Sequence, residues 1–245
     1  MRLLPALFLT AFSLTAANLP SGESILARSL AKSGGAQAFA RVKSAIMTGT
    51  VEMVGHNLSG PVAVYQQGEK TYTSIELPGI GKVEEGFDGE TAWEVNALTG
   101  ARIKEGEEKS ATVRASKLGL LNSWRDDYKE ATTLGEEDVE GKPAWKVQML
   151  PKEGKPEIFY FDKTTSLLVR MTQTIASALG EIPVDALLGD YRTVGGVLVP
   201  FSMTQKAMSQ VMTMHFDKVE WNPAIPAGRF DLPEAVRILA ARAKP

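Results

Sequence analysis

The sequence predicts an α+β protein, mainly antiparallel β, built on one large curled sheet of about eleven strands with helices over its concave face. Three observations carry this. Most of the chain alternates apolar and polar residues with period two. Turn signals recur between the alternating runs, at Asp88-Gly89, Gly141, Gly154, Lys163 to Ser166 and Gly195-Gly196, and one kind of turn used repeatedly joins neighbours into hairpins. Helical periodicity is confined to short stretches near the start, the middle and the end of the chain. A Greek-key sandwich has connections of similar length and fits the same pattern.

The elements follow in order. Arg2, an uncharged apolar run from Leu3 to Leu14, and the small residues Thr15, Ala16 and Ala17 have the layout of a secretory signal peptide cleaved near Ala17. The apolar run is too short to anchor in a bilayer. Residues 18–245 are expected to form a single domain, which at this length buries roughly 70% of its unfolded surface. Ser21-Gly-Glu-Ser24 places a serine cap before Ile25, Leu26 and Leu30, the start of an amphipathic helix. Gly34-Gly35 ends it, and Ala36 to Val42 makes a second short helical piece. From Ser44 the period becomes two, in "SAIMTGTVEMV", "PVAVYQQ", "KTYTSIEL", "KVEEGFD" and "TAWEVN". A helix is expected between Glu107 and Trp124, where Ala111, Ala115, Leu118, Leu121 and Trp124 recur at spacings of three and four. Strand periodicity then resumes from Glu130 and runs to Trp221; a proline-rich crossing leads to a terminal helix over Glu234 to Arg242.

Composition narrows the function. The formal net charge is −2, one unit more negative without Arg2, and no basic block is present, which argues against a nucleic-acid partner. There is no cysteine, hence no disulfide and no thiolate site. The two histidines, His56 and His215, are far apart and form no metal-binding pair, so neither a metal site nor a cofactor is expected. The segment "PGIGKVEEGF" lacks the spacing of a phosphate loop, and no nucleophile elbow appears. Asp190 and Arg192 share a strand face two residues apart and read first as a local pair beside a turn.

What stands out is apolar supply. By period two, Trp145, Val147 and Met149 share one strand face; so do Phe159 and Phe161, Val169 and Met171, and the set Met212, Met214 and Phe216. Met203, Met208, Met212 and Met214 fall in one short segment, and methionine suits a surface that adapts to varied apolar partners. One layer of short helices over a broad curled sheet leaves room for a cavity with these residues on its floor.

"GFDGETAWEVNALTG" resembles the D-G-x-x-x-W-x-x-x-P strand pair of the LolA-like carriers, which sort outer-membrane lipoproteins. Asp88, Gly89 and Trp93 fall in the matching places, and Ala97 stands where proline is usual. "FARVKSAIMTGTVE" is similar to that family's passage from first helix to first long strand, "NSWRDDYKEA" to its helix-to-strand return, and "PAGRFDLPEAV" to its F-x-x-P ending, at Phe230 and Pro233. The resemblance implies a half-open β-barrel lidded by helices, a periplasmic location, and a cavity for acyl chains of lipids or lipoproteins, with envelope membrane proteins as partners and no enzymatic step. The lipid-binding candidates are then Trp93, Trp145, Val147, Met149, Phe159, Phe161, Met171, Met203, Met212, Met214 and Phe216. Two rivals remain: an exported enzyme with Asp190, Arg192 or His215 in a pocket, and an envelope module whose core is simply filled.

Overall fold

The computed structural model describes residues 19–177 and 180–243, so the expected signal peptide lies outside the described residues. Ser21 caps the first helix, its Oγ accepting from the Ser24 amide at 3.2 Å. That helix, α1 (Gly22–Lys32), is followed by α2 (Gly35–Ala40). Six strands come next: β1 (Ser44–Met53), β2 (Leu58–Gln67), β3 (Lys70–Leu77), β4 (Gly81–Phe87), β5 (Ala92–Asn96) and β6 (Gly100–Lys104). Helices α3 (Gly106–Ser116) and α4 (Trp124–Asp127) lead to β7 (Tyr128–Val139), β8 (Lys142–Pro151), β9 (Glu157–Asp162) and β10 (Leu168–Ser177). The chain closes with β11 (Gly180–Val194), β12 (Val197–Ala207), β13 (Gln210–Trp221) and α5 (Glu234–Ala243).

All thirteen strands form one antiparallel sheet, ordered β6-β5-β4-β3-β2-β1-β13-β12-β11-β10-β9-β8-β7. Every neighbour is a hairpin partner except β1 and β13, whose pairing joins the two strand blocks. The sheet curls without closing, as a sheet of this width must either curl or split. The half-open barrel is therefore observed, with more strands than the expected eleven. β6 escapes the alternation pattern because it is only five residues long and carries Arg102 and Lys104. At the β11–β12 corner, Gly195 and Gly196 both take positive φ, 56° and 84°, which a two-residue turn of this hand demands.

The expected helix over residues 107–124 is broken: α3 stops at Ser116, and Trp124 opens the separate α4. The concave face carries α1, whose Ile25 and Leu26 are buried with Tyr128, Val147, Met149, Phe159 and Phe161. Helix α5 departs from the expected arrangement. It packs on the convex face, where Val236 and Phe230 close over Tyr72 and Trp93. A bulge in β13 also matters: Gly49 pairs with Phe216 but Thr48 with Lys218, leaving Asp217 as the extra residue. Inward parity changes there, so Val219 joins Met214 and Phe216 in one core cluster.

Candidate functional site

Between the concave sheet and α3 lies a cavity of about 560 Å³. Its floor comes from the middle of the sheet. Met212 and Met214 of β13, Met203 of β12, Met171 and Ile175 of β10 and Phe216 line it, and Ala111, Thr112 and Ala115 of α3 form the cover. A smaller space of about 190 Å³ adjoins it, sharing Met47, Gln66, Met203 and Phe216 and covered by Phe39, Val42 and Leu118. Volumes of this order are those of sites that take a small or chain-like ligand.

The cavity has a polar end. Glu85, Thr71, Thr73, Gln66 and Lys104 reach it from β2, β3, β4 and β6. Lys104 is buried, and its Nζ meets Glu85 at 2.7 Å, so the cation is neutralised by an acid that is itself half exposed. The remaining wall is mainly apolar, interrupted by Glu108, Thr112, Gln173 and Gln205, and the site can thus accommodate a molecule with an apolar body and a small polar group.

Charge, more than apolar burial, holds α3 in place. Among its residues only Ser116 is buried. At its start Arg102 makes a two-pronged contact with Glu108, at 2.7 and 2.6 Å, and a further bond to Glu94 at 2.6 Å, all of which favour the charged guanidinium. Near its end Arg114 donates to Glu157 at 2.7 Å and to the Glu153 carbonyl at 3.0 Å. Glu157 also accepts from the Tyr128 hydroxyl at 2.6 Å; burial first, and the Glu157 charge second, push the Tyr128 phenol well above its usual range. Gln66 Nε2 completes the anchoring by donating to the Ser116 carbonyl at 3.1 Å.

The expected site residues separate into three groups. Met171, Met203, Met212, Met214 and Phe216 line the cavity together. Val147, Met149, Phe159 and Phe161 face the same side of the sheet but are fully buried beneath α1 and Trp124, away from the cavity lining, and Trp145 packs against that cluster. Trp93 requires a correction. It stands opposite Gly86 and beside Tyr72 on the convex face, under α5, with the sheet between it and the cavity. The physical reason is that strand alternation alone leaves the face unassigned, and in β3 to β6 Tyr72 and Trp93 face outward while Thr71, Thr73, Glu85 and Lys104 face inward. Val169 and Met171 likewise part company: a bulge between Leu168 and Arg170 sends Val169 to the cluster around Tyr160.

Sequence reasoning missed Met47, Val64 and Ile75, whereas Ala111 and Ala115 belong to the apolar helix face it expected as cover. The signal was present, since Met47 and Val64 pair directly across β1 and β2, but isolated apolar residues among threonines gave it little contrast. Asp190 and Arg192 pair with each other at 2.5 Å, and Arg192 lies over the Phe201 ring at 4.5 Å; both are exposed. His215 is exposed and does not line the cavity. Among the described residues no cluster of His, Asp or Glu could hold a metal ion.

The architecture is LolA-like: a half-open antiparallel barrel with helices across its concave side. Three solved structures share it over most of the chain. A LolA superfamily protein from Nitrosomonas europaea aligns with a TM-score of 0.56 at 9% identity, covering 87% of this chain and 99% of its own. A DUF1329 family protein from Desulfovibrio piger gives 0.56 at 13%, covering 86% and 95%. A putative outer membrane lipoprotein-sorting protein domain from Vibrio parahaemolyticus gives 0.50 at 12%, covering 86% and 96%. At such identities the likeness is one of fold. Neither a comparison with protein-family models nor one with curated proteins gives a match.

Proposed function

We propose that this protein is an exported periplasmic carrier or binding protein for acyl chains of lipids or lipoproteins, acting without covalent chemistry. The observation that carries the proposal is the methionine-floored cavity between sheet and α3. Each acyl methylene moved from water into that space contributes about 0.8 kcal/mol. Methionine side chains adapt to chains of different length and kink. The polar end at Lys104, Glu85 and Gln66 gives a head group or ester a place to hydrogen-bond. Loading and release require α3 to move, and its charge pairs can reform after each opening.

Mass spectrometry of lipids extracted from protein purified out of the envelope fraction tests this reading. Stoichiometric acylated lipid is the expected result. Protein free of lipid that also fails to bind a fluorescent fatty acid saturably overturns it. N-terminal sequencing of the same material tests export: a mature chain beginning near Asn18 is expected, and an intact Met1 contradicts it.

A further inference from the structure

From β6 to β12 in sheet order the turns at the two rims of the half-barrel differ in chemistry; charge returns to the uncharged rim only beyond that stretch, at the β8–β9 turn with Lys152, Glu153 and Lys155. At one rim, four successive hairpins across the sheet, β5–β6, β3–β4, β1–β2 and β12–β13, end in Leu98, Pro78, Val54 and Met208. Leu98 is 74% exposed, Met208 69% and Val54 46%, half of the exposed large hydrophobic side chains among the described residues. None of these four turns contains Asp, Glu, Lys or Arg. Turns at the opposite rim carry Glu69, Asp88, Glu90, Glu140 and Lys163 or consist of glycine, and no exposed large hydrophobic stands there.

Single exposed apolar residues are ordinary on any surface, but their alignment on one rim is not. Each hairpin spans two strands, so adjacent tips stand about 10 Å apart, separated by glycine and small polar residues. A folded protein partner needs a continuous apolar patch, which this spacing does not supply; a fluid interface closes around each tip separately. The same rim is continuous with the cavity. Ile75, Ile175 and Met212 are inward-facing cavity residues near the ends of their strands at this rim.

We infer that this rim docks on the surface of a phospholipid bilayer, inserting its uncharged apolar tips at the headgroup level so that a chain passes between membrane and cavity without crossing water. The inference adds a membrane contact to the carrier reading and fixes which end of the cavity faces the donor or acceptor. Because the tips are uncharged, binding does not depend on anionic lipid, and it varies little with salt.

Cosedimentation with vesicles of pure phosphatidylcholine tests it. The wild-type chain is expected to partition onto them, and the triple variant Val54→Asp/Leu98→Asp/Met208→Asp to lose about tenfold or more of that partitioning, since binding scales with inserted apolar area. Leu98→Asp alone, at the most exposed tip, is expected to lose about twofold while leaving the fold intact by circular dichroism. The triple variant should still bind a soluble fatty-acid probe, whereas Met214→Asp should lose the probe and keep the vesicles; membrane docking and the carrier reading can therefore fail separately. No vesicle association by the wild type, equal association by the triple variant, or association only with anionic vesicles overturns the inference.

Discussion

Met203 and Met214 stand directly opposite one another across β12 and β13, and both line the cavity. Their side chains form the centre of its floor, where Met214 is buried and pairs on its other side with Val51 of β1. Met214→Asp places a carboxylate there without a partner, which costs several kcal/mol or forces the acid to stay protonated. Affinity for a fluorescent fatty acid is expected to fall about tenfold or more in the folded variant. His215→Ala, one residue along on an exposed position, is expected to leave affinity unchanged. Equal affinity in wild type and a folded Met214→Asp variant removes the methionine floor from the binding site.

The turns and strand faces of β12 and β13 were legible because each carries its own chemistry: two glycines at a corner, and methionine alternating with polar residues. The sequence also places Ser21 at its helix cap. Assigning faces failed where both sides of a strand are partly covered. Trp93 and Tyr72 alternate with Glu85 and Thr73 across paired strands, and only the position of α5, set by a proline-rich crossing, decides that the aromatic side is convex. Bulges defeat period two in the same way. Asp217 and Val169 each shift the phase of one strand, and nothing in the local composition marks them. Cavity and packed core were indistinguishable at the level of residue type: Phe159 and Met171 pair across β9 and β10, yet one is sealed under α1 and the other faces open space.

Gly34 fixes the corner between α1 and α2 against the β11–β12 hairpin. It takes φ 115°, and an added Cβ would lie 2.3 Å from the Gly196 carbonyl oxygen. Nearby, the Leu198 amide donates to the Ser33 carbonyl at 2.9 Å. Gly34→Ala therefore combines an unfavourable backbone conformation with a collision against backbone, and a loss of about 2 kcal/mol is expected in urea unfolding. Gly189, with nothing within 4 Å of its added Cβ, is the contrast. Gly189→Ala is expected to be neutral or to stabilise by up to about 1 kcal/mol. Similar losses at both positions contradict the contact.

Asp162 organises the β9–β10 turn, its Oδ1 accepting from the amides of Thr164 at 2.9 Å and Thr165 at 2.6 Å and from the Thr165 hydroxyl at 3.0 Å. Burial alone would raise its pKa, but the bonds from Thr165, followed by that from Thr164 and the nearby Lys142, outweigh it and hold the carboxyl below the ordinary aspartate range. A carboxyl depressed in the folded state adds stability above its unfolded pKa, and that stability is lost as pH falls through the folded value. The wild type is thus expected to lose stability progressively below about pH 5, with Glu84 and Glu137, also depressed, contributing. Asp162→Asn keeps an acceptor oxygen but not the charge. It should cost about 1 kcal/mol at pH 7 and shrink toward zero at pH 2, as followed by urea titrations at both values. A cost that does not change with pH contradicts the assignment.

Glu157 is where the cover of the cavity is tied to the sheet. It is 4% exposed and takes bonds from both the Arg114 guanidinium of α3 and the Tyr128 hydroxyl of β7. Removing one member of a buried ion pair leaves the other charge without its partner, a loss of about 3 kcal/mol or more. Glu157→Gln is therefore expected to destabilise by about that amount, because Arg114 keeps only the Glu153 carbonyl. Tyr128→Phe removes a single donor and should cost about 1–3 kcal/mol, leaving the ion pair intact. The two variants should differ in function as well. With the Arg114–Glu157 pair lost, α3 keeps its Arg102 end, Gln66 and the bonds of Arg114 and Ser110 to Glu153 but no buried ion pair to the sheet, so amide exchange in α3 and exchange of bound probe should both quicken in Glu157→Gln. In Tyr128→Phe they should remain near wild type. Faster exchange in the tyrosine variant with an unchanged glutamine variant would show that the Tyr128 hydroxyl, and not the ion pair, holds the cover.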